Sequence, residues 1–269
     1  MHKLLHTLLA GCALLFCLPS PATETVHRAD LGRHFDAAGV RGTFVMLDVA
    51  ADKLTIYDPE RAHRRFRPAS SFKILNSLIA LETGAVKDEN EVLPYGGKPQ
   101  RFKEWEQDMS MRNGIKVSNV PVYQEVARRV GPSRMDHYVK LVGYGNADIG
   151  KVIDRFWLDG PLTISAVEQA HFVGRLAQRR LPFSDRSMTI VRDIIKQEET
   201  ARHALFAKTG WVFADASKDA QPGLGWWVGW VEREGRVYAF AMNIDIVKDE
   251  DAPKRQVITR KCLEDLGAL

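Results

Sequence analysis

Ser70-Ser71-Phe72-Lys73 sets a hydroxyl and an amine three residues apart, one turn apart on one face if the segment is helical. A neutral lysine so placed can deprotonate the serine, the activation used by Ser/Lys nucleophile pairs. Ile74, Leu75, Leu78, Ile79 and Leu81 recur behind it at helical spacing, so the spacing predicts a buried helix from Ser71 to Leu81, ended by Gly84. Burial can lower a lysine pKa from roughly 10.4 by 3 to 5 units, which makes Lys73 a candidate base. The competing reading is an N-capping serine followed by a solvated lysine. Lys208-Thr209-Gly210, closing an apolar strand before Trp211, is a second candidate element, although alone it is also an ordinary strand edge. Ser118-Asn119-Val120 and Tyr144-Gly145-Asn146 lie between the two.

The elements that must position these residues are legible in outline. Phe44–Val49 and Lys53–Tyr57 read as strands of a hairpin, with Ala50-Ala51-Asp52 as its turn. The middle of the chain reads as helical. Pro121 starts a helix that ends at Gly131, Ser133 with Asp136 reads as a capping box for another, and Ser165 with Glu168 caps a third. A further helix runs through Ile190–Ile195. Strands return at Ala204–Thr209, Gly225–Glu232 and Arg236–Ile244, the last two joined at Glu234-Gly235, and a helix after Pro253 carries Ile258, Cys262 and Leu263. Trp226, Trp227 and Trp230 fit a central strand buried on both faces better than a sugar platform. Strands at both ends with helices between them predict an α+β fold: one antiparallel sheet built from the N- and C-terminal strands, flanked by helices, with an inserted helical sub-domain.

Composition bounds the function. The 269 residues are 45% apolar and 27% charged, which marks a folded globular chain, and the net charge of +4 is too small to argue for nucleic acid. Lys3, an apolar run from Leu8 to Leu18 and Pro19-Ser20-Pro21-Ala22 follow the order of a secretory signal peptide. The expected organisation is therefore a signal peptide over 1–22 and one domain over 23–269, periplasmic and free of the membrane. Leu9-Ala10-Gly11-Cys12 also resembles a lipoprotein processing site. Past residue 22 only Cys262 remains, so no disulfide forms within the mature chain. His2 and His6 have ligand-like spacing but fall within the expected leader; past residue 22 no His-x-x-x-His or His-Glu-x-x-His pattern occurs, and no metal is expected.

Ser-x-x-Lys together with Lys-Thr-Gly resembles the signature pair of serine β-lactamases and penicillin-binding proteins. Pro68-Ala69-Ser70-Ser71-Phe72-Lys73-Ile74, Ser118-x-Val120 before Pro121-Val122-Tyr123-Gln124, Tyr144-Gly145-Asn146, Phe156-Trp157 and Lys208-Thr209-Gly210-Trp211 stand in the order seen in class D β-lactamases. The resemblance covers nearly the whole mature chain. Leu93-Pro94-Tyr95-Gly96 departs from it where many members carry a Trp-Asp pair.

The resemblance implies the serine β-lactamase and penicillin-binding transpeptidase fold, and hydrolysis of β-lactam antibiotics. Ser70 would be the nucleophile. Lys73, carboxylated on Nζ by CO2 or bicarbonate, would be the general base, with Val120 as its dry wall and Trp157 donating to the carbamate. Ser118 would relay protons between the two lysines. Lys208 and Thr209 would hold the substrate carboxylate, paired by Arg255, with Gly210, Tyr144 and Asn146 also among the substrate-binding residues. The N–H groups of Ser70 and Trp211 would form the oxyanion hole. Read from the residues alone, Trp157 is also a packing residue, Ser118 an N-cap before Pro121, and Arg255 one of several solvated charges. A β-lactam-sensing receptor domain and a cell-wall transpeptidase or carboxypeptidase share this serine. The family includes monomers and homodimers, and no organic cofactor is implied.

Overall fold

A computed structural model describes residues 23–214 and 222–269; the leader expected over 1–22 lies outside them. In chain order the elements are β1 (Glu24–His27), α1 (Gly32–Ala38), β2 (Gly42–Asp48), β3 (Lys53–Tyr57), α2 (Pro59–His63), α3 (Lys73–Glu82), β4 (Val92–Leu93), β5 (Met109–Ser110), α4 (Met111–Lys116), α5 (Val120–Val130), α6 (Pro132–Val142), α7 (Ala166–Ala177), α8 (Asp185–Ile194), β6 (Lys196–Glu199), β7 (His203–Val212), β8 (Gly223–Arg233), β9 (Arg236–Ile246) and α9 (Lys254–Asp265). Seven strands form one sheet in the order β1-β3-β2-β9-β8-β7-β6. N-terminal β2 therefore pairs directly with C-terminal β9, and the two ends of the chain build one sheet around the helical middle.

The antiparallel sheet expected from the sequence is present, with one parallel pairing at its edge, where β1 runs beside β3. The chain leaves β1, crosses through α1 and places β2 and β3 as a hairpin, so β3 returns in the direction of β1. Glu234 and Gly235, at φ 52° and 74°, supply the two left-handed residues that a two-residue hairpin turn between β8 and β9 needs.

Period-two alternation sorts the β8 tryptophans. Trp226 and Trp230 join the larger core, which packs the sheet against α3, α5 and α7, while Trp227 joins the smaller core under α1 and α9. Both faces of the sheet are thus covered by helices, and the central strands are buried on both sides. Gly174 lets α7 lie close on β9, since a Cβ there would come 3.3 Å from that of Ala239. Ser165 and Glu168 close a reciprocal capping box on α7. The box expected at Ser133 and Asp136 does not form. Pro132 takes the first helical position of α6 after Gly131, which puts Ser133 inside the first turn, where its hydroxyl cannot cap.

Candidate active site

Ser70 lies in a 3-10 turn, Ala69–Phe72, that runs directly into α3. Every residue of α3 from Lys73 to Leu81 is buried, because the apolar stripe is wide enough to sink the whole helix into the core. Lys73 goes in with it at 0% exposure. Its Nζ lies 2.7 Å from the Ser70 Oγ and 5.2 Å from the centre of the Tyr123 ring. Burial, and then the charge of Lys208, push Lys73 well below the ordinary lysine value. A neutral amine at 2.7 Å from a serine hydroxyl can take its proton. The N-cap reading of Ser70 fails, since its side chain caps no helix end.

The opposite wall comes from the α4–α5 loop and β7. Asn119, not Ser118, caps α5, accepting from Val122 N at 3.0 Å. Ser118 is held left-handed at φ 59°, a conformation that costs a non-glycine residue free energy and recurs where surrounding structure imposes it. Its Oγ accepts from Lys208 Nζ at 3.0 Å, and the same Nζ donates to Thr209 O and Oγ1 at 3.0 and 3.2 Å. Burial, and then the nearby Arg255 charge, lower Lys208 to about 7, so its amine changes charge near neutrality. Arg255 is buried, lowered to about 10 by that burial, and donates to the carbonyls of Gly210 and Ala252. It is not a solvated helix charge.

Gly210 brings the two walls together. A Cβ there would lie 2.9 Å from the Pro68 carbonyl oxygen and 3.3 Å from Ser71 N, so only glycine lets β7 come this close to the serine turn. Between the walls opens a cleft of about 740 Å³ lined by Ser70, Ser118, Val120, Thr209, Trp211 and Arg255. Lys73, Lys208 and Trp157 lie behind this lining, at 0%, 5% and 0% exposure. Trp157 stacks on Phe72 at 5.5 Å, and its buried Nε1 has no hydrogen-bond partner among the described residues.

Residues 42–264 match the transpeptidase domain of penicillin-binding proteins. The β-lactamase OXA-5 of Pseudomonas aeruginosa is 40% identical over 266 residues, which cover 98% of this chain and 99% of that relative. OXA-48 of Klebsiella pneumoniae is 38% identical over 94% of this chain and 93% of its own length. The crystal structure of the class D β-lactamase YbXI from Nostoc superposes with a TM-score of 0.85 at 41% identity, covering 90% of this chain and all of that one. The chain belongs to the class D serine β-lactamases. Its fold is that of the penicillin-binding transpeptidases and β-lactamases.

Two residues expected at the substrate of this β-lactamase lie elsewhere. Tyr144 is 1% exposed, with its hydroxyl on Gln169 Oε1 at 3.2 Å and its ring on Phe72 and Phe172. The exposed Asn146 ties its loop to the 161–163 segment, donating to Pro161 O at 3.0 Å and accepting from Thr163 N at 2.9 Å. Neither lines the cleft. What sequence reasoning missed is the aromatic mouth. Phe102 packs on Trp105 at 4.8 Å and on Phe213 at 6.2 Å, and Trp211 packs on Phe213 at 4.8 Å. The signal available was a glycine- and proline-bearing loop, 94–99, followed by Phe102 and Trp105. Their proximity to Phe213 needs the fold.

Proposed function

We propose that the protein is a periplasmic hydrolase that opens β-lactam antibiotics through an acyl-enzyme on Ser70 and so confers resistance to them. The observation that carries this reading is the 2.7 Å contact between the Ser70 hydroxyl and an amine whose charged form burial disfavours. Ser70 Oγ attacks the lactam carbonyl as its proton passes to the base. The backbone N–H groups of Ser70 and Trp211 receive the developing oxyanion, an arrangement in which one donor is worth about 3 to 4 kcal/mol. Ser118, hydrogen-bonded to Lys208, hands a proton to the departing lactam nitrogen, and Lys208 at about 7 resupplies it. Lys208, Thr209 and Arg255 hold the substrate carboxylate, and the Arg255 charge lets the site keep its affinity when Lys208 is neutral.

Lys73 and Trp157 fit a carbamate. CO2 adds only to an unprotonated amine, which is the form burial favours at Lys73. The Trp157 N–H, without a partner among the described residues, is the donor that an anionic carbamate needs in an apolar pocket. When bound, the carboxyl group supplies a carboxylate base for both acylation and deacylation. Val120, starting α5 at the edge of the cleft, keeps that pocket dry. Export rests on the leader-like residues 1–22; among the described residues no helix is long and apolar enough to cross a membrane.

Time-resolved hydrolysis of a chromogenic cephalosporin by residues 23–269 tests the reading. Many turnovers per molecule, increased by bicarbonate and abolished by Ser70→Ala, are expected. A single stoichiometric burst without further release would instead assign the chain to β-lactam sensing or cell-wall synthesis.

A further inference from the structure

Ser71, beside the proposed nucleophile, turns its hydroxyl away from the cleft and into the core. Its Oγ donates to the Pro68 carbonyl at 2.8 Å and accepts from Gln169 Nε2 at 2.7 Å, while Gln169 Oε1 accepts from the Tyr144 hydroxyl at 3.2 Å. Ser71 and Gln169 are 0% exposed and Tyr144 1%. The chain of donors has one direction, from Tyr144 through Gln169 and Ser71 to Pro68. A glutamine amide buried on α7, among Ala166, Ala170 and Val173, is costly to desolvate, and an apolar residue would pack there without that cost.

The far end of this chain is where the serine turn is most constrained. The Pro68 carbonyl precedes Ala69, held left-handed at φ 48°, and Ala69 N donates to Trp157 O at 3.0 Å. The same carbonyl is the atom against which Gly210 of β7 packs. We propose that Gln169 is a positioning residue for the reaction. By holding the Ser71 hydroxyl on the Pro68 carbonyl it keeps Ala69 left-handed, and with it the Ser70 Oγ and N–H aimed into the cleft. Tyr144, whose hydroxyl faces both Gln169 and Ser71, fixes which end of the Gln169 amide faces Ser71. The inference rests on Ser70 being the nucleophile.

Single-turnover acylation by a chromogenic cephalosporin, far below the melting temperature, tests it. Gln169→Leu and Ser71→Ala are each expected to slow acylation by about 10- to 100-fold while changing the affinity of the non-covalent complex by less than about threefold. Ser71→Thr, which keeps a hydroxyl at the same place, is expected to stay within about threefold of the parent. Because the residues act in series, the double variant Ser71→Ala/Gln169→Leu should be no slower than the worse single variant. Parent-like acylation by Gln169→Leu, or additive losses in the double variant, would overturn the inference. If Gln169→Leu does not fold, the Ser71 pair decides: Ser71→Ala slow with Ser71→Thr fast supports it, and equal rates overturn it. Ser70→Ala keeps the two readings apart. Continued acylation in that variant sinks the nucleophile assignment, whereas its loss beside a parent-like Gln169→Leu sinks only the role of Gln169.

Discussion

Lys73→Ala is expected to leave a folded protein whose β-lactam turnover falls by about 10^4-fold, the upper end of what one positioned base contributes. The barrier rises by about 5 to 6 kcal/mol, because no other described base stands within hydrogen-bond reach of the Ser70 hydroxyl on that wall. Folding survives because the lysine is a burden on stability. Its folded pKa lies well below the unfolded value of about 10.4, so between the two values the unfolded chain binds a proton that the native one does not. Native stability therefore rises with pH across that window and is lowest below the folded pKa. The parent's melting temperature should climb relative to that of Lys73→Ala as pH rises towards 10. Activity carries the same sign, since acid protonates the amine and the parent should lose turnover on the acid side. Steady-state kinetics and melting curves across pH check both statements, and near-parent hydrolysis by Lys73→Ala would remove the lysine from the mechanism.

Trp157→Phe separates the indole N–H from the ring. Phenylalanine retains an aromatic face for Phe72, against which Trp157 stacks at 5.5 Å, but lacks the donor left without a partner in the core. If that donor serves an anionic carbamate, its loss leaves a buried charge without a hydrogen bond, a change worth about 3 to 4 kcal/mol. Turnover is expected to fall by about 10^2- to 10^3-fold, and more bicarbonate should be needed for half-maximal activity. A bicarbonate titration of the initial rate reads both quantities. Turnover within a few-fold of the parent at an unchanged bicarbonate requirement would make Trp157 a packing residue only.

How much of this was legible in the sequence depends on how local each cause is. The helix behind Ser70 and the β8–β9 turn follow from residue spacing alone, and their observed positions differ from the reading by a residue or two. The serine and lysine motifs could be named from their order. That β7 meets the serine turn through Gly210 depends on strands more than a hundred residues from Ser70. The seven residues of the short α1 give too little periodicity to predict it, although Leu31 and Phe35 are both buried under the sheet. Edge strand β1 carries no readable pattern because its residues are largely exposed and polar. The Tyr144-Gly145-Asn146 motif points Tyr144 to the substrate. Its burial against Phe72 and Phe172, and its bond to Gln169, are tertiary facts that no local pattern contains.

Carbamylation of Lys73 is tested most directly by carbon NMR of the protein equilibrated with 13C-labelled bicarbonate, followed by activity as bicarbonate is withdrawn and restored. One carbamate resonance is expected, absent in Lys73→Ala, with an intensity that rises and falls with the rate of β-lactam hydrolysis. Full turnover in a sample that shows no carbamate resonance would contradict it.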